Sequence, residues 1–141
     1  MTKNGIRILI VCVLALTSVK ANAQFSLTGN DPAGLRWMQM ETENFKLIFP
    51  KGEDSLARVY GTELEQARIR NARSSGYLIG QSYQGKMPVV LHSRYVVPNA
   101  SVTWAPKRMD IFTVNDPYSP TATPWVRNLA IHEGRHAAQM Q

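Results

Sequence analysis

The sequence of 141 residues contains a single cysteine, Cys12, and has no internal repeat and no low-complexity tract. One thiol cannot form an intramolecular disulfide, so the chain is not a small domain held together by disulfide bonds. Hydrophobic residues make up 44% of the sequence and charged residues 18%, which is ordinary for a globular protein and argues against a disordered chain. The length corresponds to roughly one small domain.

The sequence also lacks an apolar run long enough to span a membrane. Its longest run, Ile8 to Leu16, follows the basic residues Lys3 and Arg7, and a small-residue cleavage site, Ala-Asn-Ala, stands at positions 21–23. This arrangement is typical of a secretory signal peptide. We therefore predict that residues 1–23 are a signal peptide and that the remainder is exported to the periplasm, the outer-membrane surface or the extracellular space.

Removal of the predicted signal peptide takes away the cysteine and much of the positive charge. Residues 1–23 hold three of the 16 basic residues and none of the ten acidic ones, so the formal net charge falls from +6 to +3. The mature part keeps no stripe of Lys and Arg with interleaved aromatic residues, so we expect no nucleic-acid partner. We also expect that it is not an integral membrane protein.

Hydrophobic periodicity predicts an α+β domain over residues 24–141, with one layer of sheet and its helices on one side. The predicted strands are short apolar or alternating runs bounded by turn residues, and the segment Leu35–Met40 is interpreted as part of an irregular lead-in. The predicted elements are strands at Phe45–Phe49, Met87–His92, Ser101–Trp104 and Met109–Val114, and helices at 53–76 and from about Trp125 to the end.

The last predicted helix contains the sequence His132-Glu133-Gly134-Arg135-His136. Residues four apart lie one turn apart on the same helix face, so His132 and His136 can direct both imidazoles at one ion. Glu133 projects about 100° around the helix from His132, where it can reach a water activated by the metal. Zinc lowers the pKa of such a water, and a carboxylate can pass its proton to the leaving amine. The spacing predicts a zinc site with Glu133 as general base.

Two residues inside the motif fit this interpretation less well. A glycine in a helix interior, here Gly134, is unfavourable by about 1 kcal/mol relative to alanine, and we expect it to let the backbone of the sheet approach closely. Arg135 places a positive charge near the metal ligands, and we expect it to point to solvent on the other side of the helix. The alternative is a surface helix whose two histidines are incidental.

The sequence offers no clear third protein ligand, although a catalytic zinc normally has three. His92 ends the second predicted strand, and we interpret it as a strand-end polar residue rather than a ligand. Glu63 and Glu65 on the first helix could in principle supply a carboxylate, but we predict that neither does.

The order of elements resembles the N-terminal half of the zincin fold, and the sequence looks like the gluzincin-type, peptidase-MA-like clan. More narrowly, the stretches VPNASVTWAPKRMDIFT and WVRNLAIHEGRHAAQ resemble the N-terminal region of large exported Bacteroidetes proteins that carry a C-terminal TolB-like β-propeller. The resemblance implies that His132 and His136 bind zinc and that Glu133 is the general base. It also implies a peptide or protein substrate and a small mixed sheet packed by one helix before the HExxH helix.

In this clan an edge strand before the active helix pairs with extended peptides. The residues that would take this place are Ser101, Val102, Thr103 and Trp104, or alternatively Met109–Val114. The third gluzincin ligand is a Glu on a later helix, which these 141 residues do not reach. The expectation is therefore a zinc-dependent metallopeptidase whose N-terminal part, present here, is inactive alone. The alternative is a non-catalytic exported binding or assembly domain with a degenerate zincin fold, or a structural module.

Overall fold

The computed structural model describes residues 31–76, 85–118 and 122–140. The chain divides into two units, Met1–Asn30 and Asp31–Gln141, and every described residue belongs to the second. The predicted signal peptide, residues 1–23, lies outside the described residues. The described elements are β1 (Trp37–Glu41), β2 (Phe45–Pro50), α1 (Asp54–Ser75), β3 (Met87–His92), β4 (Asn99–Trp104), β5 (Lys107–Phe112) and α2 (Trp125–Gln139).

The described strands form one five-stranded mixed sheet in the order β1-β2-β3-β5-β4. The three inner strands, β2, β3 and β5, are parallel to one another. The two edge strands, β1 and β4, each run antiparallel to their single neighbour. The predicted α+β class and the mixed sheet are thus confirmed.

The core lies on one face of this sheet. Every second residue of the inner strands points to this face and is buried, as in β2, where Phe45 and Leu47 are fully buried and Lys46 is not. Both helices contribute to the same cluster, so they cover this face together. The cluster consists of Phe45, Leu47, Phe49, Ala57, Tyr60, Leu64, Ala67, Met87, Val89, Leu91, Met109, Ile111, Leu129, Ala130, Ala137 and Ala138.

Two details of the sheet differ from the sequence prediction. The segment interpreted as an irregular lead-in contains β1, which pairs with β2 from Trp37 opposite Pro50 to Glu41 opposite Lys46. Its residues are mostly exposed, so no alternation marks it, and it is a strand because β2 offers a free edge. The hairpin strands β4 and β5 both start two residues earlier than predicted. Strand β5 begins at Lys107 because this residue pairs with Trp104 across a two-residue turn, and β4 begins at Asn99 because this residue pairs with Phe112 at the end of β5.

Two glycines shape α1: one lies where the helix packs against the sheet, and one ends the helix. A Cβ atom on Gly61 would lie 3.0 Å from the Thr42 methyl carbon and 3.4 Å from Leu47 Cδ1, so a larger residue here would press on these two side chains where the helix meets the sheet. Gly76, with φ of 77°, ends the helix in the left-handed conformation, and its N–H donates to the Ala72 carbonyl.

Neither of the two described helices combines the length with the apolar character that crossing a bilayer requires.

Candidate functional site

Helix α2 exposes the two histidines because its other face is buried against α1 and the sheet. The helix follows Pro124, whose carbonyl accepts hydrogen bonds from the N–H groups of Arg127 and Asn128. The buried residues of α2 are Leu129, Ala130, Glu133, Gly134, Ala137 and Ala138. Four of these six are alanine or glycine, so the helix can lie close to α1 while His132 and His136 remain exposed.

The two imidazoles converge on one point. The Nε2 atoms of His132 and His136 are 3.1 Å apart, and the ring planes are nearly perpendicular at 80°. Two nitrogens bound to one tetrahedral zinc at 2.0–2.1 Å would be about 3.3 Å apart. The pair therefore fits two of the positions around such an ion.

Glu133 lies beside this pair but is buried. Glu133 Oε1 lies 3.9 Å from His132 Nε2, and the residue is only 4% exposed. Burial raises the pKa of the Glu133 carboxyl, and the nearby histidines oppose this in part. A carboxylate with a raised pKa takes up a proton more readily near neutral pH than an exposed one does.

Gly134 allows a close approach, but to α1 rather than to the sheet as expected. A Cβ at this position would lie 2.4 Å from Asn71 Nδ2. Asn71 is 1% exposed, and neither polar atom of its carboxamide has a hydrogen-bond partner among the described residues. Sequence reasoning missed Asn71, because a single polar residue among the charged residues of α1 carries no local sign of burial.

Arg135 does not turn away from the histidines as predicted. It is exposed, but it lines the same cleft as His132 and His136. The reason is helical geometry, since a residue three positions after His132 is about 60° from it around the helix axis. The cleft therefore holds a cationic side chain close to the histidine pair.

This cleft lies between α2 and the beginning of β4 and has a volume of about 740 Å³. Sites that bind small ligands are commonly about 300–1,000 Å³, so it is large enough for a short peptide segment. Its lining residues are Pro98, Asn99, Ala100, Trp125, Asn128, Leu129, Ile131, His132, Glu133, Arg135, His136 and Gln139.

The strand predicted to bind substrate is at the edge of the sheet. The four predicted residues, Ser101 to Trp104, belong to β4, which pairs with β5 and with no other of the described strands. None of the four lines the cleft, which instead reaches β4 at Asn99 and Ala100. The alternative segment Met109–Val114 falls largely in β5, which is paired on both sides and leaves no free edge.

The two glutamates considered as further ligands are held elsewhere. Glu63 accepts hydrogen bonds of 2.9 and 3.0 Å from the guanidinium of Arg127. Glu65 accepts bonds from Thr42 and Asn44. Within residues 31–76, 85–118 and 122–140, no group of three or more His, Cys, Asp or Glu side chains is arranged to hold a metal ion. Among the described residues, the two histidines of α2 therefore converge without a third potential ligand beside them.

His92 takes part in a different site. It ends β3 as expected, but it is buried between two carboxylates, with Nδ1 2.6 Å from Asp31 Oδ2 and Nε2 3.1 Å from Asp110 Oδ1. Arg108 donates from Nε to the other Asp110 oxygen at 2.8 Å, and Phe112 stacks on the imidazole. By strand register, His92 and Asp110 point to the sheet face opposite the core.

This network shifts the pKa values of its members. Burial disfavours the charged imidazole, but the hydrogen bonds and charges of Asp110 and Asp31 outweigh it and raise the pKa of His92. Burial likewise opposes the charge of Asp110, and bonds from His92 and Arg108 lower its pKa below the usual value. Sequence reasoning could not anticipate the network, because Asp31 and His92 are far apart in the chain.

Comparisons of this chain with protein-family models, with curated proteins and with solved structures found no match.

Proposed function

We propose that this chain provides the metal-binding helix and the general base of an exported zinc-dependent metallopeptidase. The observation that carries the proposal is the convergence of His132 Nε2 and His136 Nε2 at 3.1 Å, with the Glu133 carboxylate 3.9 Å from the first of them. Two imidazoles and an adjacent carboxylate on one helix are the groups that metal-assisted hydrolysis of a peptide requires.

When bound, zinc would supply the electrophile that polarises the peptide carbonyl and lowers the pKa of the attacking water. Glu133 accepts the proton of that water on its carboxylate and passes it to the leaving amine nitrogen. Its burial favours this role, because the raised pKa of the carboxyl brings proton uptake closer to neutral pH. As the proton moves to Glu133, the water oxygen would bond to the carbonyl carbon and the C=O π bond would open to an oxyanion. When the proton then passes to the amine nitrogen, the carbonyl re-forms and the peptide C–N bond breaks.

The substrate we propose is an extended peptide or a flexible protein segment. The free edge of β4 offers backbone N–H and C=O groups to such a chain, and the cleft brings the start of this strand to the same space as the histidines. The proposal requires a third metal ligand, which the described residues do not supply. We expect the 141-residue chain alone to be inactive.

Zinc content tests the proposal. We compare the 141-residue chain with the chain extended through the codons that follow Gln141. The extended chain is expected to bind one zinc ion per molecule and to lose it largely in His132→Ala, because a single imidazole remains. Glu133→Gln should keep the metal and abolish hydrolysis, whereas Glu43→Gln, at an exposed position, should change neither. Absence of zinc from an extended chain with both histidines intact would refute the proposal.

A second function is a non-catalytic exported domain that binds peptides or assembles with other proteins. It is favoured by the finding that no third metal ligand stands near the histidines in the part of the chain that the structure describes. This function predicts peptide binding that zinc and chelators leave unchanged. It also predicts that the extended chain shows no hydrolysis that depends on Glu133.

A further inference from the structure

One arginine of the cleft has no ionic partner among the residues that the structure describes. Arg135 is exposed, and no hydrogen bond or ion pair of its guanidinium is found among the described residues. The other arginine of α2, Arg127, forms a bidentate ion pair with Glu63. In the sheet, Arg108 is bound to Asp110. Of these arginines, Arg135 alone is free to bind an external anion.

The surroundings of Arg135 strengthen its attraction for an anion. The facing wall of the cleft consists of Pro98, Asn99 and Ala100. Of these only Asn99 has a side-chain oxygen, and that oxygen is uncharged, so it binds a guanidinium less strongly than a carboxylate does. The one carboxylate in the lining, Glu133, is 4% exposed and lies 3.9 Å from His132 Nε2, and no ion pair between it and Arg135 is found among the described residues. Arg135 also borders a second concavity, and there the hydroxyls of Ser74 and Ser75 already donate to a backbone carbonyl.

A guanidinium binds a carboxylate more strongly than it binds the neutral polar groups of a peptide, because two parallel N–H groups match its two charged oxygens. We infer that Arg135 makes the cleft select peptides that carry a carboxylate close to the segment lying at His132 and His136. The inference rests on the proposed function in that the cleft is taken to bind peptides. The carboxylate belongs either to an acidic side chain or to the C-terminus of the bound peptide.

The test measures peptide binding to the 141-residue chain without metal, because a bound metal would itself attract carboxylates. One pair of blocked peptides differs only in Glu against Gln at the central position, and a second pair has a free or an amidated C-terminus. NMR shifts of backbone amides in α2 report binding at the cleft. The matched variants are Arg135→Gln, Arg135→Lys and, as a control on the exposed surface of α1, Arg58→Gln.

The native chain is expected to bind at least one carboxylate peptide about fivefold more tightly than its neutral counterpart, which is typical of a solvent-exposed ion pair. The preference should disappear in Arg135→Gln, persist in Arg58→Gln and be reduced in Arg135→Lys, which keeps the charge but not the paired donors. It should also weaken at about 0.5 M salt, where screening extends over only a few ångströms. The pair with the larger difference identifies the source of the carboxylate.

Equal binding of charged and neutral peptides, a preference that survives Arg135→Gln, or no binding of either carboxylate peptide would overturn the inference. These outcomes are distinct from failure of the proposed function, because the peptide assay contains no metal. Zinc binding by the extended chain, and its loss in His132→Ala, is measured separately and does not involve Arg135.

Discussion

The contact between Gly134 and Asn71 predicts an unusual sign for a glycine-to-alanine substitution in a helix. Alanine in place of an interior helical glycine normally stabilises a protein by about 1 kcal/mol. In Gly134→Ala, the new Cβ would meet Asn71 Nδ2 at 2.4 Å. Overpacking of a buried site costs about 1–3 kcal/mol, and Asn71 has little room to move because it is 1% exposed. The clash should therefore outweigh the gain in helix propensity.

We expect Gly134→Ala to lower the free energy of unfolding by about 1 kcal/mol, which is the difference between these two opposing effects. For a domain near 100 residues, this corresponds to a fall of about 4 °C or more in the melting temperature. Gly61→Ala is the comparison, because its nearest contact is less severe at 3.0 Å, and it should destabilise less. Urea denaturation and thermal melting measure both variants.

The double variant Asn71→Ala with Gly134→Ala identifies the cause. Removing the carboxamide removes both the clash and a buried polar group without hydrogen bonds, so the double variant should be more stable than Gly134→Ala by about 1–3 kcal/mol. A Gly134→Ala variant more stable than the native chain would refute the reasoning. It would mean that helix propensity dominates and that α1 and α2 do not depend on this contact.

The remaining predictions concern the ionic groups of the fold. The pKa of His92 in the folded protein is raised above 6.5, so the contribution of His92 to folding stability is complete below pH 6.5 and is lost as the pH rises through the folded-state pKa. The midpoint of urea denaturation should therefore fall on the alkaline side. A midpoint that stays constant from about pH 6 to about pH 9 would contradict this. The pKa of Asp110 in the folded protein is lowered below 3.8. The contribution of Asp110 to folding stability is therefore present above pH 3.8 and is lost as the pH falls through the folded-state pKa. Arg127→Ala should cost less than about 1 kcal/mol of unfolding free energy, because its ion pair with Glu63 is partly exposed, and a loss above about 2 kcal/mol would assign the pair a larger structural role.

Elements with strong local patterns were predicted closely. The predicted strand at Met87–His92 coincides with β3, and the helix predicted at 53–76 is α1 at Asp54–Ser75. In both cases the periodicity of apolar residues and the flanking turn residues are local properties of the chain. The β1 strand was missed for the opposite reason, since its residues are largely exposed and it exists through pairing with β2.

The candidate site was predicted only in part. The placement of His132 and His136 on one helix face follows from the helical repeat alone, and the structure confirms it. The direction of Arg135 was mispredicted, although the helical repeat itself places Arg135 only about 60° from His132 around the helix axis. The use of Glu63 and Glu65 in structural hydrogen bonds was beyond sequence reasoning, because their partners lie in other elements.

The sequence by itself determined the groups that α2 can offer to a metal, because residues four apart in a helix face the same way whatever surrounds them. The tertiary structure alone decided what meets that helix. It brought Asn71 against Gly134, set the start of β4 opposite the histidines, and buried His92 between Asp31 and Asp110. These contacts join residues distant in the chain, so they arise from packing of the whole domain rather than from any local pattern.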